Sequence, residues 1–158
     1  MKTRILSLAL VLVMIIMAMT SCSLLWGEVA DSGFVTVVVE NADGTYDVYK
    51  TYLEDVENKQ EGAKGVIEHL SERENNPLHL EMVDSTYGAY VSAIGSIKED
   101  GNSFLYVMVY TSVATDSYDG APTLDYEGIT MHQAGLGLSG MSVEEGTVIL
   151  FRLEASPW

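Results

Sequence analysis

The stretch FVTVVVENADGTYDVYKTYLE, residues 34–54, decides the fold. Phe34 to Glu40 is β-branched, with Val35, Val37 and Val39 falling on one face, which predicts a strand. Asn41-Ala42-Asp43-Gly44 supplies turn chemistry, and GTYDVYKTYLE continues as its hairpin partner. Asn41, Asp43 and Asp47 do not have the ligand spacing of a calcium loop, so turn chemistry accounts for them. Downstream, Ala63, Val66, Ile67 and Leu70 recur at i, i+3, i+4 and i+7 and give a helix one apolar stripe. Asn75-Asn76-Pro77 ends that helix, because proline cannot extend the hydrogen-bond ladder.

Further strands are expected at His79 to Val83, Ala89 to Lys98, Ser103 to Ser112, Gly128 to His132 and Gly146 to Leu153, with Glu99 to Asn102 as a second hairpin connection. A hairpin, one helix and then several strands is an α+β order. The expected architecture is β-grasp-like: one mixed or antiparallel sheet packed on one main helix. Val113 to Ser142 is long, with irregular Gly, Ser and Asp, and loops of this length are commonly functional or mobile.

Upstream, Lys2 and Arg4 precede an apolar run from Ile5 to Met19, broken only by Ser7, which is a secretory signal pattern. The run is about fifteen residues, short of the roughly twenty that a membrane-spanning helix needs. Thr20 and Ser21 are small residues directly before Cys22, the one cysteine of the chain. This arrangement resembles the bacterial lipobox, and the resemblance implies a diacylglyceryl thioether on Cys22. Lipid also disposes of an exported thiol that has no disulfide partner, and more than one acyl chain anchors a small domain where a single chain is marginal. The expected organisation is a cleaved signal peptide over 1–21, a lipidated tether over 22–33 and one domain over 34–158. The expected location is the extracytoplasmic face of a bacterial cell membrane.

Six basic residues remain after Cys22 against all twenty-three acidic ones, a mature net charge of about −17. Such a surface repels phosphate backbones and anionic lipid, so nucleic acid is excluded as a partner and membrane contact falls to the lipid anchor.

The run Asn76-Pro77, Tyr87-Gly88, Tyr90-Val91-Ser92-Ala93-Ile94, an aromatic strand and a closing Gly146-Thr147-Val148-Ile149 resembles the carboxy-terminal domain of transcobalamin and intrinsic factor. Related β-grasp domains occur in bacterial surface lipoproteins. In the vitamin carriers this domain closes over one face of a corrin ring. The resemblance therefore implies a ligand-binding rim, with a corrinoid as the most specific ligand to test.

No catalytic set is visible. Gly135-Leu136-Gly137-Leu138-Ser139-Gly140 fits G-x-G-x-x-G, but only Met141 to Glu145 separate it from the next strand, which leaves no room for the helix of a dinucleotide site. It reads as a flexible or bulged connection. Ser139 lacks the second glycine of a nucleophile elbow. His69, His79 and His132 have no metal-ligand spacing, and no metal or cofactor is expected. A weak calcium alternative would need Asp125 and Glu127 to fold back on the Asp116–Asp119 turn.

Tyrosine is the remaining signal, because it joins a broad apolar face to a polar handle. Tyr87, Tyr90, Tyr118 and Tyr126 are the candidate ligand contacts, while Tyr106 and Tyr110 alternate with Phe104 and Met108 and are expected in the core. The expected function is a non-enzymatic, lipid-anchored module that presents its domain to a soluble ligand. The alternative is a structural or protein-interaction subunit of an envelope complex, for which an exposed apolar patch rather than a pocket is expected.

Overall fold

The computed structural model describes residues 29–86 and 88–155. The expected leader, Cys22 and Tyr87 lie outside the described residues. β1 (Phe34–Glu40) and β2 (Tyr46–Tyr52) form the expected hairpin in unbroken antiparallel register from Phe34↔Tyr52 to Glu40↔Tyr46. The turn is held by the Asp43 carboxylate, which accepts the Thr45 N–H at 3.0 Å.

α1 (Gly62–Ser71) follows, and its stripe of Ala63, Val66, Ile67 and Leu70 is fully buried. A Cβ on Gly65 would collide with the Asn58 carbonyl, so only glycine lets the helix lie this close to the turn before it. Past the helix, Leu78 donates its N–H to the Leu70 carbonyl at 3.0 Å. Asn76, with φ 53°, makes the reversal ahead of Pro77.

β3 (Leu80–Ser85), β4 (Gly88–Ile94) and β5 (Ile97–Lys98) form a three-stranded sheet. The single strand expected over Ala89 to Lys98 is thus two strands. Gly95, at φ 57°, starts a two-residue turn that pairs Ile94 with Ile97. The turn at Glu99 to Asn102 forms, with the Asp100 carboxylate accepting the Asn102 N–H at 3.0 Å, but the strands it joins belong to different sheets.

The second sheet adds β6 (Leu105–Thr111), β7 (Thr123–Tyr126), β8 (Ile129–Gln133) and β9 (Val148–Ala155) in the order β2-β1-β9-β6-β8-β7. It is mixed, because β1 runs parallel to β9 while its other neighbours are antiparallel. The class is α+β, with mixed sheets around one main helix. Where one sheet was expected, there are two.

Val113 to Ser142 is also more ordered than a loop. Glu127 and Gly128, both with positive φ, join β7 to β8 in a two-residue turn, and the Asp125 carboxylate accepts the Gly128 N–H at 3.1 Å. The Gly135–Gly140 run is a short 3₁₀ turn, Leu138–Gly140, with Leu138 and Ser139 buried beside α1.

Two cores result. The first joins Val35, Val37 and Val39 of β1 to the helix stripe, to Val91 and Ile94 of the small sheet, and to Ile149 and Phe151 of β9. The second lies on the opposite face of the large sheet, where Val38, Tyr110, Val148 and Leu150 meet Tyr126 and Met131. β8 pairs with β6 only at Tyr110 and Thr111. The β7–β8 hairpin therefore swings over the outer face until Tyr126 meets Tyr46 of β2 edge to face, with ring centroids 5.2 Å apart. The packed body begins before residue 34, since Val29 is buried and bridges to Val143.

Candidate functional site

The two sheets leave a groove between β4 and β6. β5 covers β4 only at Ala93 and Ile94, and β8 covers β6 only at its far end, so both strands have uncovered stretches that face one another. Ala89 turns its N–H away from β3, donating to Ser139 Oγ at 3.3 Å, and strand alternation turns the backbone of Val91 the same way. Opposite, the Val107 N–H donates to Glu99 Oε1 at 3.1 Å and the Val109 carbonyl accepts the Ala134 N–H at 2.9 Å.

The walls are apolar: Ala89, Val91, Val107, Met108 and Val109, with Leu136 and Tyr90 at the rim and Gln133 at one end. Tyr90 is 43 % exposed and Leu136 49 %. The cavity holds about 170 Å³. Pockets that engulf a drug-sized ligand run to roughly 300–1,000 Å³. This groove is therefore too small to enclose a ligand of that size. Burial holds the Glu99 carboxyl above its ordinary range, with the Val107 N–H pulling the other way.

The four candidate tyrosines do not converge. Tyr90 lines the groove. Tyr118, 51 % exposed, lies across Gly135 and donates its hydroxyl to Gln133 Oε1 at 2.8 Å, one hydrogen bond away from the groove. Tyr126 is 7 % exposed and fills the second core, where burial raises its phenol pKa. Tyr110 is buried as expected and donates to Glu154 Oε1 at 2.8 Å, whereas Tyr106 is half-buried and Phe104 is exposed. Leu136 and Gln133 are groove residues that were not among the candidates. No local pattern marks them: Leu136 and Leu138 part company only because a 3₁₀ turn begins at Leu138, which leaves Leu136 exposed and Leu138 buried.

The acidic turn is dispersed as well. Asp116 points inward and accepts the Ser142 N–H at 2.8 Å, while Asp125 caps the β7–β8 turn. Among the described residues, no group of three or more His, Cys, Asp or Glu side chains could hold a metal ion, and no helix is long and apolar enough to cross a membrane.

No protein-family model and no curated protein matches this sequence. Solved structures do share its fold. A candidate metal-binding protein from Ruminococcus gnavus ATCC 29149 superposes with a TM-score of 0.51 at 14% identity, over 78% of this chain and 98% of that one. Haptocorrin in complex with Cbi gives a TM-score of 0.51 at 13% identity, over 78% of this chain and 25% of haptocorrin. The chain thus spans about a quarter of haptocorrin's length. At such identities the likeness is one of fold alone.

Proposed function

We propose that this chain is a non-enzymatic binding module, held at the extracytoplasmic face of a bacterial membrane by lipid on Cys22, which grips a flat, largely apolar ligand with the groove between β4 and β6. The observation that carries this reading is the groove itself, an apolar slot lined by Ala89, Val91, Val107 and Val109 together with exposed Tyr90 and Leu136. The fold shared with haptocorrin makes a corrinoid the first ligand to test. A cavity this small would hold a corrinoid by one edge, leaving most of the ring to solvent or to a second protein.

Titration with cobalamin and cobinamide is expected to quench tyrosine fluorescence and raise Tm, because a ligand that binds only the folded state stabilises it by mass action. Leu136→Asp is expected to abolish both responses while the unliganded protein keeps its Tm. Unchanged fluorescence and Tm with both corrinoids would remove the corrinoid. The anchor is tested separately: Cys22→Ala is expected to release the protein from the membrane fraction.

A second reading, a protein-interaction subunit of an envelope complex, is favoured by the apolar side chains exposed around β2, namely Phe34, Tyr46, Val48 and Tyr52. It predicts co-purification of an envelope protein with no ligand-induced change in Tm.

A further inference from the structure

Gln133, the last residue of β8, stands at one end of the groove, where every other side chain of the lining is apolar or a tyrosine. In the β6–β8 register it lies opposite Tyr110, and so diagonal to Met108, which lines the groove as well. Only 8 % of it is exposed. Its amide is tied at one end alone. The Tyr118 hydroxyl donates to Oε1 at 2.8 Å, while among the described residues nothing accepts from the Nε2 amine. Arg152 Nε is the one fully buried side-chain nitrogen or oxygen among the described residues that lacks a partner, so Nε2 keeps a face open beside the groove.

We infer that Gln133 sets ligand specificity in the groove, donating its Nε2 amine to a neutral carbonyl oxygen carried on the apolar edge of the ligand. This role rests on the groove being a ligand site.

An amide taken out of water with half its capacity unused costs stability, and an apolar side chain of similar size would serve packing better at this position. A carbonyl oxygen supplied from outside completes the pairing. What surrounds the amine fixes the class of ligand. No charged side chain lines the groove, so a carboxylate or phosphate would lose its water there without gaining a cation. The net charge of −15 repels anions as well. A cation is drawn by that field but would meet the amine end of Gln133, which has no lone pair to offer. A neutral amide or ketone carbonyl meets neither penalty.

Tyr118 is the positioning residue. It is half exposed and lies against Gly135, where an added Cβ would stand 3.2 Å from its ring. Its hydroxyl holds the amide oxygen, and because the amide is planar the amine is turned to the other side.

Amide NMR titration of the isotopically labelled full chain with N-cyclohexylpyrrolidone, an apolar probe whose sole hydrogen-bonding atom is a carbonyl oxygen, reads the pairing directly. The probe is expected to shift the backbone amides of Val91 and Val109 and to move the Gln133 side-chain amine downfield. Gln133→Leu is expected to weaken the probe about tenfold. Gln133→Glu keeps an oxygen for Tyr118 but sets a second oxygen where the amine stood, and is expected to weaken the probe at least as much. Tyr118→Phe frees the amide to turn over, and the loss is expected to be about threefold. Groove amides that shift with equal affinity in the parent and in Gln133→Leu overturn the role of Gln133 and leave the groove standing. Undiminished binding by Gln133→Glu overturns it in the same way. A probe that shifts neither the groove amides nor the Gln133 amine removes the groove, and this role with it.

Discussion

Val37 and Val38 are chain neighbours on β1, both fully buried, yet they belong to different cores. Val37 faces the helix and shares its core with residues from most of the chain, from Val29 to Phe151. Val38 faces the other way, into a smaller cluster roofed by Tyr126 and Met131 of the β7–β8 hairpin. The same split recurs on β9, where Phe151 and Leu150 point to opposite sides. A strand buried on both faces needs two covers, and the covers differ in how they are attached. The helix side is closed by several independent elements. The outer side is closed by one hairpin, tied to β6 by two residue pairs and to the opposite edge by the Tyr46–Tyr126 contact.

Truncation in each core tests this inequality. Phe151→Ala removes the largest fully buried side chain of the first core, where neighbours on every side are fixed, and is expected to cost about 4 kcal/mol in urea unfolding. Met131→Ala, equally buried but under a cover that can settle inward, is expected to cost about 2 kcal/mol. Hydrogen exchange sharpens the contrast. In the Met131 variant, amides of β7 and β8 should exchange well before those of β9, through local opening of the hairpin. Equal costs with uniform exchange would mean that the two cores melt as one.

The first core was legible in the sequence because its signals are local. Val35, Val37 and Val39 alternate within one strand, and Ala63, Val66, Ile67 and Leu70 recur within one helix, so each face could be read without knowing its neighbour. The second core was not, for reasons visible in particular residues. β7 is four residues long, TLDY, with only Tyr126 buried, and it sits among Asp, Gly and Pro residues that read as loop. Its turn is Glu127-Gly128 rather than the Asn-Gly or Asp-Gly that usually marks a hairpin. Val38 carried no clue to its second cover, because an all-valine run looks alike whether one face is buried or both. The groove was half legible for the same reason. Tyr90 was picked out by its chemistry, but the uncovered edges of β4 and β6 exist only because β5 and β8 stop short or turn away, and no local pattern encodes that. Tyr126 was picked out by the same chemistry and lies in the core, since a tyrosine that packs and one that binds look identical until the fold is known.

The smallest effect is expected at the root of the hairpin, where Asp116 ties the segment ahead of β7 to the chain beyond the 3₁₀ turn. Its carbonyl accepts the Gly135 N–H at 2.9 Å and its carboxylate accepts the Ser142 N–H at 2.8 Å, with the side chain almost fully buried. Burial raises its pKa above the ordinary aspartate value, and the charge of Glu144 adds to the rise, against the Ser142 hydrogen bond. A carboxyl raised in the folded state binds its proton more readily there than in the unfolded chain. Its stabilising contribution is complete below the unfolded pKa of about 3.9 and is lost as pH rises through the folded value. Asp116→Asn keeps an oxygen for Ser142 but carries no charge to desolvate. The variant is therefore expected to melt about 2 °C above the parent at neutral pH, and the difference should close as pH falls below the ordinary aspartate range. A gap that persisted at low pH would assign the gain to packing rather than to the buried charge, and the hairpin would then owe its hold on the outer face to apolar contact alone.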